Sequence, residues 1–401
     1  MKYGWILIIL LPLIGCQPGA AEDELSGRVT LWHSWSAEDT ITLESALALF
    51  EEIHPAVRVV SIAIPRDRIL EEFIRSADDG LGPAMLIGNS NWTAELSRAG
   101  IIKPVSDELR QDSFMSNRDF SPLTNQDWVW GVPLSLEPRA LYYNKELVDQ
   151  PPETLDQWLA EAEAGKRIAF IPFFEEAYWG IQAFGEGLFD SQGRFTLDES
   201  GFEEWLRWLD EAQGSPGVIL NVDDASLLEL FRSGEVAYYV AGPEIQTILN
   251  ETAGDERETI DYGVAPLPDG PHGPAGPLLR AETIFHYPFA SADQARIAEA
   301  LTEFLVNQQQ SIRFMRETNR VPANPNIVVD RRIYPAVSGF ARQARTAVVI
   351  PSELDTDRLT EAGDRAYVSV LSGALTPSEA VCEFGLEVAS FQNYAAADID
   401  L

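Results

Sequence analysis

The chain has 401 residues, enough for two or three domains, and its 45% hydrophobic content supports large cores. Its 63 acidic and 29 basic side chains leave a formal charge of −34, a field that repels phosphate backbones and disfavours nucleic acid as a partner. Two cysteines, Cys16 and Cys382, and four histidines without HxxxH spacing offer neither a disulfide framework nor a Cys- or His-based metal site.

The N-terminus opens with Met1-Lys2 and an apolar run from Tyr3 to Ile14. The run is shorter than the ~20 residues a spanning helix needs and fits the core of a secretory signal. Leu13-Ile14-Gly15-Cys16 resembles the lipobox of bacterial lipoproteins. That resemblance implies removal of residues 1–15, acylation of Cys16 (palmitate among the chains) and a flexible tether over 16–27. The mature chain is then expected outside the cytoplasm, held on the membrane by its N-terminal lipid, since several acyl chains anchor far better than one. Cys382 is expected on an apolar helix face.

Beyond the tether, Arg28–Trp32 reads as a strand, Asp39–Ile53 as an amphipathic helix ended by Pro55, and Val57–Ile64 as a strand. A helix over Asp67–Ala77, a short strand at Ala84–Ile87 and a helix from Asn91 to Ala99 follow. This alternation predicts a mainly parallel sheet with helices on both faces. A second run starts with strands at Trp130–Leu134 and Arg139–Tyr143. Thr154-Leu-Asp-Gln157 reads as a capping box, Arg167–Ile171 as a strand, and Tyr178–Phe184 as the start of a helix. Ser200–Ala212 and Ala225–Ser233 are helical in pattern, Ala237–Ala241 extended, and Gly242-Pro243 opens a helix. Tyr262–Leu267 reads as a strand, and the Pro/Gly-dense stretch Pro266–Pro277 as a loop. A strand at Ile284–Tyr287 and helices near 293–307, 311–318, 353–372 and 377–391 complete the chain.

Five stretches in this order resemble the extracellular solute-binding proteins of family 1, which include the maltose/maltodextrin binders of ABC importers. They are Val29–Trp35, Gly82–Trp92 with Ala99–Val105, Trp130–Glu146 with its "YNK" turn, Phe231–Pro243 and Tyr262–Pro268. The resemblance spans roughly residues 26–390. It implies an α/β, periplasmic-binding-protein-like fold: two α/β lobes, a ligand cleft, and hinge crossings near Glu137, Ala281 and Tyr334. Lobe 1 is expected from 28–136 and 284–333, lobe 2 from 137–283 and 334–394. The implied activity is capture of a small solute, a mono- or oligosaccharide, and its delivery to ABC permease subunits without catalysis or a cofactor. Ala84 stands where the family often has Asp, and Glu244 where maltodextrin binders carry Trp, so maltose specificity does not carry over.

A sugar site needs aromatic platforms and planar side chains that hydrogen-bond in pairs. Trp35 and Trp92 in lobe 1, and Tyr178 and Trp179 in lobe 2, are the candidate platforms. His33, Ser34, Asn91, Glu137, Glu176 and Glu244 are the candidate polar partners. Arg139, Arg280 and Arg320 are read as hinge or salt-bridge residues; convergence of two of them on the cleft would point to an anionic ligand. The alternatives are a binder of glycerol phosphate or another polyol, a membrane-anchored glycoside-processing enzyme or sensor, and a ferric-iron binder using Tyr142-Tyr143 and Tyr238-Tyr239.

Overall fold

The computed structural model describes residues 24–107, 109, 124, 125, 128–190, 194–250, 260–350 and 354–392. Cys16 and the apolar run before it lie outside the described residues. Chain order begins with β1 (Gly27–His33), β2 (Val57–Ala63), β3 (Met85–Asn89), β4 (Thr124–Asn125), β5 (Trp128–Val129) and β6 (Val132–Leu136). It continues with β7 (Ala140–Asn144), β8 (Ile168–Phe170), β9 (Val218–Leu220), β10 (Tyr238–Ala241), β11 (Tyr262–Ala265), β12 (Ala281–His286) and β13 (Val321–Pro322).

Two sheets carry the architecture: one of six strands in the order β13-β6-β12-β3-β1-β2, one of five in the order β11-β7-β10-β8-β9. Each has a parallel trio, β2-β1-β3 in the first and β10-β8-β9 in the second. The remaining strands join antiparallel. The expected mainly parallel sheet is therefore correct only for these trios. The helical connections after β1, β2 and β8 build the trios, whereas β7 and β12 each begin just after a crossing from the other sheet and run opposite to the trio they join.

The chain leaves the first sheet after Leu136 and joins the second at Ala140. It returns at Ala281, where β12 pairs with Leu136 and Asn89, so residues 281–283 belong to the first sheet rather than to lobe 2. A third passage follows β13, because the Pro335–Gln343 helix packs on β11 of the second sheet. The Glu137 backbone N–H donates to the Arg280 carbonyl at 2.7 Å, tying the first two crossings together.

Local chemistry explains the element boundaries. Ser36 caps the Ala37–Ile53 helix by accepting the Asp39 N–H at 3.0 Å. Thr154 likewise caps Leu155–Glu163, while the Gln157 side chain accepts from Glu153 and completes only half the expected box. The helix expected from Gly242-Pro243 begins instead at Ile245. Strand alternation splits the tyrosine pairs: Leu141 and Tyr238 face one core, Tyr142 and Tyr239 the other. Tyr142 donates to the Gly242 carbonyl, Tyr238 to Glu161 and Tyr239 to Asp224, and burial raises all three pKa values. These are buried phenols on opposite faces, which removes the basis for an iron site. Cys382 is exposed on the Pro377–Gln392 helix rather than on an apolar face.

The second core is dominated by rings. Trp179 and Trp205 approach to 4.6 Å between centroids, and a Cβ on Gly180 would lie 2.1 Å from the Trp205 ring. Gly180→Ala should therefore overpack this core and cost about 1–3 kcal/mol in denaturant unfolding. Unchanged stability would contradict this packing.

Candidate functional site

A cavity of about 260 Å³ opens between the two sheets, many times the ~10–15 Å³ that seats one water. Ser34, Trp35, Asp39, Ser135, Glu282 and Arg320 line it from the first-sheet side. Pro243, Glu244, Thr247 and Ile248 line it from the second, with Glu137 at the crossing between them. Among the expected site residues, Ser34, Trp35, Glu137 and Glu244 thus meet on one crevice.

The crevice wall is built on arginines. Arg320 follows Asn319, whose left-handed backbone (φ 56°) ends the Gln308–Thr318 helix. Its guanidinium donates to Glu282 at 2.8 Å and to Asp39 at 3.0 Å. Glu282 also accepts from the Trp35 indole at 2.5 Å and the Ser135 hydroxyl at 3.1 Å. Burial opposes ionisation of Glu282, but the Arg320 charge and these hydrogen bonds outweigh it and hold the carboxyl below its ordinary range. On the second side, Arg139 grips Glu176 with Nε at 2.5 Å and Nη2 at 2.9 Å, and pairs with Glu244 as well. Gly242 makes room for that pair, since a Cβ there would lie 2.5 Å from Arg139 Nη1. Arg280 joins Glu175 and Glu176. Burial pushes the Glu176 carboxyl upward, yet Arg139 and Arg280 bring it down to about 2.

Glu137 behaves differently. Arg66 lies 3.7 Å away and is more than half exposed. Burial, then the charges of Glu244 and Glu282, push the Glu137 carboxyl up to about 7.

Several expected contacts are corrected by this geometry. His33 is fully buried: Nδ1 accepts the Trp35 backbone N–H at 3.1 Å, which places the proton on Nε2 to donate to Ser61 Oγ at 3.0 Å. Burial lowers its pKa to about 4, so it shapes the turn as a neutral ring. Trp35 reaches the crevice, but Arg320 covers its ring face at 3.5 Å and Phe314 meets it edge-on, so it is a braced wall rather than an open platform. Tyr178 and Trp179 are wholly inside the second core; Tyr178 accepts the Leu188 N–H, and Trp179 packs on Trp158, Phe170 and Trp205. Trp92 lies over Gly88, where a Cβ would come within 2.3 Å of its ring. Asn91 lines a smaller cavity of about 50 Å³ and sits 3.5 Å from Glu175. Glu176 stands behind the wall as a partner of Arg139 and Arg280.

Sequence reasoning missed Asp39, Arg66, Ser135 and Glu282, and read Arg320 as a hinge or salt-bridge residue. One signal was present: Glu282 interrupts the apolar strand Ala-Glu-Thr-Ile-Phe-His, and a carboxylate inside a buried strand requires a partner.

Two outcomes follow. Arg320→Ala strands two buried carboxylates and should lower unfolding free energy by about 3–5 kcal/mol at pH 7; a loss under 1 kcal/mol would contradict the pairing. A carboxyl whose folded pKa is raised binds its proton more tightly when folded. The stability from Glu137 is therefore complete below about pH 4.5 and lost as pH rises through 7. Glu137→Gln should melt a few degrees above the parent at pH 8, the difference closing by pH 4.5. A pH-independent difference would refute the assignment.

Comparison with known proteins identifies the fold and the family. The galactooligosaccharide-binding protein of Bacillus subtilis is 22% identical over 399 residues, covering 93% of this chain and 92% of that one. The maltotriose-binding protein of Pyrococcus abyssi is 24% identical, covering 81% and 73%. The solved maltose-maltodextrin binding protein of Alicyclobacillus acidocaldarius superposes with a TM-score of 0.76 at 20% identity, over 90% of this chain and all of that one. The fold is the periplasmic-binding-protein-like one expected. The sequence profile of bacterial extracellular solute-binding proteins matches residues 46–333, and the chain belongs to that family.

Proposed function

We propose that this protein captures a small oligosaccharide outside the cytoplasm and passes it unaltered to the permease subunits of an ABC importer, tethered to the membrane through acylated Cys16. The observation that carries the reading is the crevice between the two sheets, with hydroxyls of Ser34, Ser135 and Thr247 set among carboxylates and the guanidiniums of Arg66 and Arg320. Planar charged groups of this kind hydrogen-bond adjacent sugar hydroxyls in pairs. Relatives named for galactooligosaccharide, maltotriose and maltodextrin binding support the substrate class. A relative named as a maltooligosaccharide ABC transporter solute-binding lipoprotein supports the importer and the anchor.

In this reading residues 28–136 and 281–333 move as one body against 137–280 and 334–392. The crossings at 137–139, 279–280 and 323–334 act as the hinge. A solute touching both walls favours the closed arrangement.

The phosphate alternative needed two of Arg139, Arg280 and Arg320 to converge on the cleft with charge to spare, but each is already held between two carboxylates. Arg66 is the loosely paired guanidinium on the crevice, and its one ion-pair partner among the described residues is Glu137. The enzyme alternative draws on Glu137 alone, whose raised pKa suits a proton donor. Glu282 and Glu244 are committed to Arg320 and Arg139, so neither of these carboxylates stands free beside it as the second member of an acid/base pair.

A thermal-shift screen of the soluble domain against galacto- and malto-oligosaccharides, polyols and their phosphates tests the reading. A sugar at 100 times its Kd should add about 2.7 kcal/mol of stability, while phosphate esters should add none. Labelled oligosaccharides should be recovered intact after incubation. Stabilisation by phosphate esters alone, or turnover of the sugars, would overturn the proposal.

A further inference from the structure

Carboxylates outnumber guanidiniums around the crevice, and one of them, Glu137, is held far more loosely than the rest. Asp39 and Glu282 share Arg320, and Glu244 shares Arg139 with Glu176. Among the described residues, Glu137 forms an ion pair only with Arg66, at 3.7 Å, and that guanidinium is 57% exposed. No described residue donates a side-chain hydrogen bond to the Glu137 carboxylate, although its side chain is only 15% exposed. Such a group is costly unless something supplies the missing countercharge.

The groups facing Glu137 come from four other elements. Arg66 follows β2, Glu244 precedes the Ile245–Asn250 helix, Glu282 lies on β12, and Arg320 precedes β13. Arg139, in the same crossing, is turned toward Glu176 and Glu244. Trp35 is the aromatic ring lining this cavity, and its face is already occupied by Arg320. The crevice therefore offers little for stacking a neutral sugar and a distinct surplus of negative charge.

Building on the oligosaccharide reading, we propose that the solute carries a protonated amine, as in an oligosaccharide with an amino sugar unit, seated on the Glu137 carboxylate between Glu244 and Glu282. The raised pKa of Glu137 fits a carboxylate waiting for this partner. An ammonium beside it lowers that pKa, so binding near neutral pH drives a proton from the carboxyl into the buffer. The overall charge of −34 also favours encounter with a cation over an anion.

Isothermal titration calorimetry of the intact soluble domain tests this with three probe sets of matched length: glucosamine oligomers, their N-acetylated forms, and malto-oligosaccharides. The free-amine set should bind at least tenfold more tightly at pH 7. At pH 6.5, where the amine stays charged, its enthalpy should depend on buffer ionisation with the sign of proton release. Glu137→Gln should abolish both the preference and the proton release. Glu137→Asp, which keeps the charge, should retain the preference, so loss through misfolding is distinguishable from loss of charge. Neutral oligosaccharides binding as tightly as the amines, or amines binding without proton release, would overturn the inference and leave the oligosaccharide reading intact. Failure of every carbohydrate to bind would overturn both.

Discussion

A guanidinium withdrawn from water must be matched by carboxylates within reach, and this molecule meets that requirement three times near the places where its chain passes between sheets. Arg139 and Arg280 share Glu176 and take Glu244 and Glu175 as second partners; Arg320 is clamped by Asp39 and Glu282. The pairs brace Trp35, fill the shoulders of the crevice and spend the positive charge that would otherwise invite an anion. They also leave Glu137, between the two clusters, as the exception. Removing one partner from such a group costs far more than an exposed surface pair, whose typical worth is about 0–1 kcal/mol.

The placement of the crevice follows from topology. In open α/β sheets, ligands bind beyond the carboxyl ends of the parallel strands. Ser34 and Trp35 follow β1, Arg66 follows β2, and Gly242-Pro243-Glu244 follow β10. The two parallel trios thus present their carboxyl ends to a shared gap, and the crossings hold them there. The Glu137 to Arg280 backbone hydrogen bond joins two crossings into one short ribbon, the element about which the halves turn in the proposed closure.

Much of this order was legible in the sequence, because hydrophobic periodicity and caps are local. The strand-helix order to Asn89, the caps at Thr154 and the "YNK" turn of β7 all appear close to their expected positions. The site was legible only where a residue follows a strand end directly, as with Ser34, Trp35 and Glu244. Tyr178 and Trp179 misled because an aromatic pair looks the same whether it faces a cleft or a core. The deciding feature was Gly180, whose missing Cβ admits Trp205 from a helix more than twenty residues away. Asp39, Glu282 and Arg320 lie 281 and 38 residues apart along the chain, and no local pattern connects them.

The central claim is mechanical: two bodies close on a solute held in the crevice between them. Small-angle X-ray scattering of the soluble domain, recorded with increasing galacto- or malto-oligosaccharide, measures that closure directly. The account predicts a decrease in radius of gyration that saturates at one ligand per chain and follows the binding isotherm. Saturated binding with an unchanged scattering profile would contradict it.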